Sequence, residues 1–340
     1  MLFGSAEVGV DLGTANILVY VKNKGIVLNE PSVVAYDKES KKILAIGEDA
    51  KIMIGRTPGN IIAVRPLQDG VIADYEITQS MLEYVINKVV GRSLLFKPKV
   101  MICIPSGVTT VEKRAVLEAT LQSGASKTYL IEEPMAAAMG GGIDVSEARG
   151  SIVMDIGGGT TDVAVMCLGG IVISESVRVG GDRFDEAIMR YVKKVHNVQI
   201  GERSAESIKM EIGTVREEGV SDVTIDVKGR DIITGMPTTI TMTSKETRNA
   251  LIEPINRLVA CVKSVLEQTP PELSADIVDR GIVLTGGGAL LDGLAELVQE
   301  KTGITAIIAD NPLDCVALGT GQALSNLSKL KESSLMKSKS

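Results

Sequence analysis

At 340 residues the chain has room for about two ordinary domains, and 44% hydrophobic with 23% charged residues is the composition of a folded globular protein. With 3% aromatic residues and no Trp, its core has to be aliphatic. A formal net charge of −7 provides no broad basic face, so no nucleic-acid partner is expected.

Hydrophobic period and punctuation predict a mixed α/β chain. No basic-then-apolar secretory signal follows Met1, and strands are predicted at 7–11, 17–22 and 32–36. A helix at 77–90, a strand at 99–104 and a helix at 111–123 come next. Thr109, three residues before Glu112, carries the capping-box signature. Strands at 151–155 and 163–168 precede helices at 186–194 and 204–215, a strand at 223–227 and a long helix at 244–267, stopped by Pro270 and Pro271. A strand at 281–285 and a helix at 289–301 complete the pattern. The longest apolar run, 163–173, is too short to span a bilayer, so the chain is expected to be soluble or at most peripheral. Beyond Leu327, Lys329, Lys331, Lys337 and Lys339 among serines predict a flexible basic tail.

The cysteines Cys103, Cys167, Cys261 and Cys315 are scattered, without metal-ligand spacing, and read as buried free thiols of a reducing compartment. His196 follows a Lys-rich helical stretch and reads as a surface residue. A single imidazole argues against Ser–His or Cys–His hydrolase chemistry.

One pattern occurs twice. VGVDLGT at 8–14 leads to an apolar run at 17–21 and GIV at 25–27; IVMDIGGGT at 152–160 leads to one at 163–165 and GIV at 170–172. Each reads as strand, Asp, Gly-rich turn with Thr, strand, and a third apolar run. The correspondence predicts two similar domains facing one another. Glycine turns leave backbone N–H groups pointing into a concavity with no side chain in the way, so two such turns hold a polyphosphate from both sides. Asp11 and Asp155 end their strands toward the same space; like charges keep them off phosphate, and holding Mg²⁺ through water suits them. Gly286, Gly287 and Gly288 precede the helix predicted from Ala289, whose N-terminus would favour an anion. As a dinucleotide fingerprint this cluster lacks its third glycine, because Leu291 stands there, and no GxxxxGK[ST] loop exists.

DLGTAN at 11–16, EEPMAAA at 132–138, DIGGGTTD at 155–162 and LTGGGALL at 284–291 resemble the phosphate-1, connecting, phosphate-2 and adenosine motifs of the actin-like ATPase superfamily. Within it the chain resembles the MreB/Mbl family of bacterial actins, through NEPSV at 29–33, IGRTP at 54–58, DGVIAD at 69–74, IGER at 200–203 and TPPEL at 269–273. The resemblance covers nearly the whole chain. It implies an actin-like α/β fold of two related lobes, each with an RNase H-like core and a smaller insertion, with nucleotide in the cleft between them. The implied subdomains are IA (1–31, 77–146 and 319–330), IB (32–76), IIA (147–181 and 249–318) and IIB (182–248), followed by the tail 331–340.

By that resemblance Asp11 and Asp155 organise magnesium, while Gly13, Thr14, Ala15, Asn16, Gly157, Gly158 and Gly159 surround the phosphates of ATP or ADP. Glu133 orients the attacking water with Thr160 across the cleft, and Glu132 is its rival for that role. Glu206 and Lys209 match nucleoside contacts, although their i, i+3 spacing equally suits a solvated helix pair. Gly286 to Gly288 stand at the adenosine. At Gly180 the family usually has Ala.

The implied function is a slow ATPase that forms filaments organising cell shape. Its partners would be other copies in head-to-tail protofilaments paired antiparallel, the anionic inner membrane leaflet, and membrane proteins of shape or wall machinery. The protein would be cytoplasmic and peripheral on the inner face of the membrane. Leu94, Leu95 and Phe96, flanked by Arg92, Lys97 and Lys99, read either as a core contact or as a loop inserting into lipid, joined by Met1 to Phe3. The basic tail reads as a lipid contact or a solvated end. The alternatives on the same ATPase core are a sugar-type small-molecule kinase and a chaperone ATPase, and no substrate-binding domain follows for the latter.

Overall fold

In a computed structural model of the chain, the described residues are 6–68, 70–91, 97–217 and 222–327, with the backbone of Leu335–Lys337. Leu94, Leu95 and Phe96, Met1 to Phe3 and most of the basic tail lie outside the described residues.

The sequence repeat becomes two sheets built to one plan. Glu7–Leu12, Asn16–Val21 and Gly25–Pro31 form an antiparallel meander, and Lys99–Ile104 and Lys127–Glu132 continue it in parallel beyond Glu7–Leu12. Ser151–Ile156, Thr161–Cys167 and Gly170–Val177 form the second meander, continued in parallel by Ile282–Thr285 and Ala306–Ile308. The two sheets differ at one outer edge. Leu335–Lys337 pairs antiparallel with Lys127–Glu132 as a sixth strand, so part of the segment expected to be a flexible tail is a sheet edge.

Ser151–Ile156 is buried along its whole length, the pattern of a strand covered on both faces. Helix Glu133–Gly140 contacts strands of both sheets and packs on helix Cys315–Ser325, which covers the first sheet. Glycine sets how closely those helices approach. A Cβ on Gly140 would lie 1.8 Å from the Cys315 carbonyl oxygen, and one on Gly319 1.8 Å from that of Ala136. Met135 to Ala138 join Met101 and Ile131 of the first sheet and Val153 and Ala164 of the second in one buried cluster, so the lobes share a core. Each fully buried aliphatic side chain there contributes about 1.5–3 kcal/mol.

Smaller sheets are inserted into each lobe. Val34–Asp37, Ile43–Ile46 and Ile61–Val64 form one, and Val198–Gln199, Thr224–Asp231 and Pro237–Thr243 the other. The capping box of Thr109 and Glu112 is present, and Thr243 and Glu246 make a second one at the start of Ser244–Gln268.

Two expectations about the later chain fail. The helix predicted at 289–301 is broken: Gly286 and Gly293 take positive φ (78° and 81°), leaving a tight turn at Gly287–Leu290 before helix Leu294–Thr302. An unpredicted helix, Pro271–Arg280, starts where the prolines end the long one, because Pro at the first helical turn has no N–H to lose. His196 is not a free surface residue; its Nε2 lies 2.7 Å from Glu246 Oε1. All four cysteines are free, and Cys167 is only half-buried.

Candidate functional site

Strand register fixes both turns. Leu12 pairs Ile17 and Ile156 pairs Thr161, so Gly13 to Asn16 and Gly157 to Thr160 are equivalent loops at one end of the two sheets. They meet across the cleft: a Cβ on Gly158 would lie 2.8 Å from the Ala15 Cβ. Thr14 Oγ1 accepts a hydrogen bond from the Gly70 N–H at 3.3 Å. Gly70 fits against Pro105 and Thr160, where a Cβ would be 2.7 Å and 3.0 Å away. Behind the second turn, the N–H groups of Gly181 and Asp182 donate to the carbonyls of Gly157 (3.0 Å) and Gly158 (2.8 Å). Helix Gly181–His196 is thereby tied to the turn. Gly180, the departure noted in the sequence, serves that approach, since a Cβ there would meet the Gly157 oxygen at 2.5 Å.

Beneath the turns is a group of carboxyls that take up protons easily. Burial pushes Asp11 up to about 6, opposed by a hydrogen bond from Cys103 Sγ at 3.3 Å. Asp155 is pushed up to about 7 by burial, although it accepts from Thr285 Oγ1 at 2.7 Å. Asp162, opposite Asp155 in the hairpin, is likewise raised to about 7, chiefly by burial. Its Oδ1 accepts from the Ser106 N–H at 2.9 Å, and a side-chain hydrogen bond from Ser176, paired opposite it on the next strand, also favours the charged form. Glu133 is raised well above the ordinary range, first by burial and then by the charges of Asp162, Asp11 and Asp155. Its neighbour Glu132 pairs with Lys113 at 3.6 Å, and its charge also raises Asp162.

Such a group fits a divalent cation with its water shell. None of the hydrogen bonds described for these four carboxyls comes from Lys or Arg; their donors are Cys103, Thr285, Ser176 and the Ser106 N–H, so their charge is left without a cationic partner. Among the described residues no three His, Cys, Asp or Glu side chains converge to hold an ion alone.

Away from the acids, a cleft of about 370 Å³ is lined by Thr14, Lys51, Arg65, Asp182, Asp185 and Glu206, among others. Glu206 and Lys209 lie on helix Glu202–Ile212 and do not act as a solvated pair. Glu206 meets Lys51 of the opposite lobe at 3.3 Å, and Lys209 Nζ donates to the Gly181 carbonyl (3.0 Å) and to Asp185 (2.9 Å). Arg65 reaches Asp182 at 2.8 Å. The Gly286 to Gly288 segment packs beside the second hairpin, where Cβ atoms on Gly286 and Gly288 would lie 2.4 Å and 2.2 Å from Ile156 atoms. The helix N-terminus expected at Ala289 is not formed: a tight turn spans Gly287–Leu290 and the next helix begins at Leu294.

A model of the MreB/Mbl protein family matches residues 5–332. The chain belongs to the MreB/Mbl family. It is 52% identical over 329 residues to the cell shape-determining protein Mbl of Bacillus subtilis, covering 97% of this chain and 98% of that one. Identity to the cell shape-determining protein MreB of Escherichia coli is 53% over 325 residues, covering 94% and 93%. The crystal structure of MreB5 of Spiroplasma citri bound to ADP superposes with a TM-score of 0.91 at 37% identity, covering 96% and 98%. The fold is therefore actin-like, and the protein is a bacterial actin-like cytoskeletal protein. The small-molecule kinase alternative finds no support.

For this MreB/Mbl family member the structure brings together Asp11, Asp155, Glu133, Thr160 and the two turns. Glu206 lines the cleft with Thr14, while Lys209 lies against Gly181 behind the second turn. Sequence reasoning assigned no role to Asp162, Ser106, Lys51 or Arg65. Asp162 was legible as a second acid in DIGGGTTD, one strand pairing away from Asp155. Ser106, Lys51 and Arg65 carry no local signal. Among the described residues no helix is long and apolar enough to cross a membrane.

Proposed function

We propose that the chain binds ATP with Mg²⁺ in this cleft, hydrolyses it slowly, and assembles with its own kind into filaments that organise cell shape. The observation that carries the reading is the convergence of two equivalent glycine turns over buried Asp11, Asp155, Asp162 and Glu133. The backbone N–H groups of the turns would receive phosphate oxygens, with Thr14 and Asn16 on one side and Gly157 to Thr160 on the other. Bound Mg²⁺ would neutralise the phosphates, its waters held by Asp11 and Asp155. Glu133, with Thr160 as its partner across the cleft, would orient a water in line with the terminal phosphorus. The water oxygen bonds to phosphorus as the bond to the diphosphate oxygen breaks, and the water proton leaves on phosphate. Glu206, Lys209 and Gly286 to Gly288 would bound the nucleoside, and Gly286 and Gly288 also buttress the second hairpin.

Support for nucleotide comes from the relative MreB5, solved with ADP and with AMPPNP. For assembly we propose head-to-tail protofilaments paired antiparallel, the open geometry that gives filaments and not rings. Placement on the inner membrane face is proposed from Leu94, Leu95, Phe96 and the basic tail, with shape or wall proteins of the membrane as partners. The subdomain boundaries IA, IB, IIA and IIB given above, and the tail 331–340, belong to the same proposal.

The test is sedimentation and electron microscopy with ATP and with GTP, alongside phosphate release. Filaments with slow phosphate release are expected. Soluble monomers at every concentration, with no release, would overturn the reading. Liposome pelleting with Leu94→Ser, Phe96→Ser and the tail deleted tests the membrane contact, and unchanged binding would sink it.

A further inference from the structure

Asp11 and Asp155 are each met by a donor from the next strand of their own sheet. Cys103 Sγ donates to Asp11 Oδ1 at 3.3 Å, and Thr285 Oγ1 donates to Asp155 Oδ1 at 2.7 Å. The two donors stand at equivalent places. Asp155 pairs with Thr285 in the parallel ladder of Ser151–Ile156 and Ile282–Thr285. In the first sheet Val10 pairs with Ile102 in the parallel ladder of Glu7–Leu12 and Lys99–Ile104, so Asp11 and Cys103 come next on their strands. The structural repeat thus reproduces each acid together with its hydrogen-bond partner. Both donors are buried among apolar strand neighbours, Ile102 and Ile104 for Cys103 and Leu284 for Thr285. In neither acid does Oδ2 take a hydrogen bond among the described residues, so each has one oxygen committed to its own lobe and one uncommitted.

A carboxylate turns easily about its last bond, and a hydrogen bond to one oxygen stops that turn. We infer that Cys103 and Thr285 are matched positioning residues: each fixes the carboxylate of its own lobe, so that Oδ2 of Asp11 and of Asp155 is presented to the waters of a magnesium ion. The inference rests on the reading of these acids as magnesium organisers and deepens it. Because each donor lies in the same lobe as its acid, each carboxylate is carried rigidly with its sheet. The separation of the two acids then depends only on how the lobes stand to one another. The two holds are unequal. A hydroxyl at 2.7 Å grips more firmly than a thiol, a weak donor, at 3.3 Å. Asp155 is therefore the firmer of the two acids.

The test is the affinity of the full chain for AMPPNP, measured by calorimetry in Mg²⁺ and in EDTA, for Thr285→Val, Thr285→Ser, Cys103→Ala and Cys103→Ser. Thr285→Val replaces the hydroxyl by a methyl of similar size. It is expected to cut the affinity gained from Mg²⁺ about tenfold, as loss of a group that orients a metal-site carboxylate implies, and to leave affinity in EDTA within about twofold. Thr285→Ser keeps the hydroxyl and the gain. Cys103→Ala loses less, about threefold, and Cys103→Ser keeps the gain, since serine also donates. A full magnesium gain in Thr285→Val overturns the inference alone. An equal loss in EDTA overturns it too, because a merely structural role would weaken both states. Should Thr285→Val fail to fold, Cys103→Ala against Cys103→Ser decides by the same two outcomes. Absence of any magnesium gain in the unaltered chain overturns the magnesium reading together with the inference.

Discussion

Lys51 Nζ lies 3.3 Å from Glu206 Oε2, an ion pair that joins the small insertion of one lobe to helix Glu202–Ile212 of the other. Arg65 and Asp182 form a second such bridge at 2.8 Å. The Asp182 N–H is bonded to the Gly158 carbonyl, so the bridge connects the insertion directly to the second glycine turn.

Charge reversal tests this latch. Lys51→Glu or Glu206→Lys alone sets like charges face to face and weakens nucleotide binding, and the double reversal recovers part of the loss. Both side chains are about one-third exposed, so the coupling in a double-mutant cycle should be modest, about 0.2–1 kcal/mol, and shrink in high salt. Additive single effects on nucleotide affinity would remove the latch from the account.

Glu133→Ala is expected to lower phosphate release about 100-fold while nucleotide affinity changes little, because a water-orienting group acts on the transition state more than on the bound substrate. Measuring release and affinity on one preparation separates the two. Unchanged hydrolysis would move the role away from Glu133.

The buried acids make stability depend on pH. Asp11 titrates near 6, and Asp155 and Asp162 near 7, against 3.8 for an unfolded Asp. The folded chain therefore binds more protons than the unfolded chain between these limits. The stabilisation is full below about 4 and is lost as pH rises through 6 to 7. Without nucleotide and Mg²⁺, the melting temperature should be higher at pH 5 than at pH 8, by at least about 2–4 °C. Mg²⁺ with AMPPNP should narrow the difference. A melting temperature flat across this range would contradict the burial of these groups.

Gly288→Ala places a methyl 2.2 Å from Ile156 Cγ2, directly behind the second turn. Overpacking of this kind costs about 1–3 kcal/mol. Lower thermal stability and weaker nucleotide binding are expected together, because Ile156 leads into Gly157. A variant with full affinity would show that the segment does not support the turn.

The hairpins were legible because Asp, Gly and Thr recur in one order at both places, and the requirements of a tight turn are local. Asp162 was harder to read. The position paired opposite Asp11 in the first hairpin is Leu18, so the repeat itself suggests nothing there. Lys51 and Arg65 meet partners more than a hundred residues away, and no spacing rule reports that. At Gly286 to Gly288 the helix expected from Ala289 was misread, because glycine at a strand end serves anion binding and close packing alike: the positive φ of Gly286 and the contacts of Gly286 and Gly288 with Ile156 make a tight turn there instead.

The glycines that let Glu133–Gly140 and Cys315–Ser325 touch also settle the mechanics of the molecule. Helices in such contact cannot part without losing that packing. Were the lobes to rock about it, Glu133, at the start of one helix, would travel little, and Lys51 and Glu206, which meet away from the contact, would travel most. The buried acids would then sit near the pivot and the ion pair at the far end of the lever.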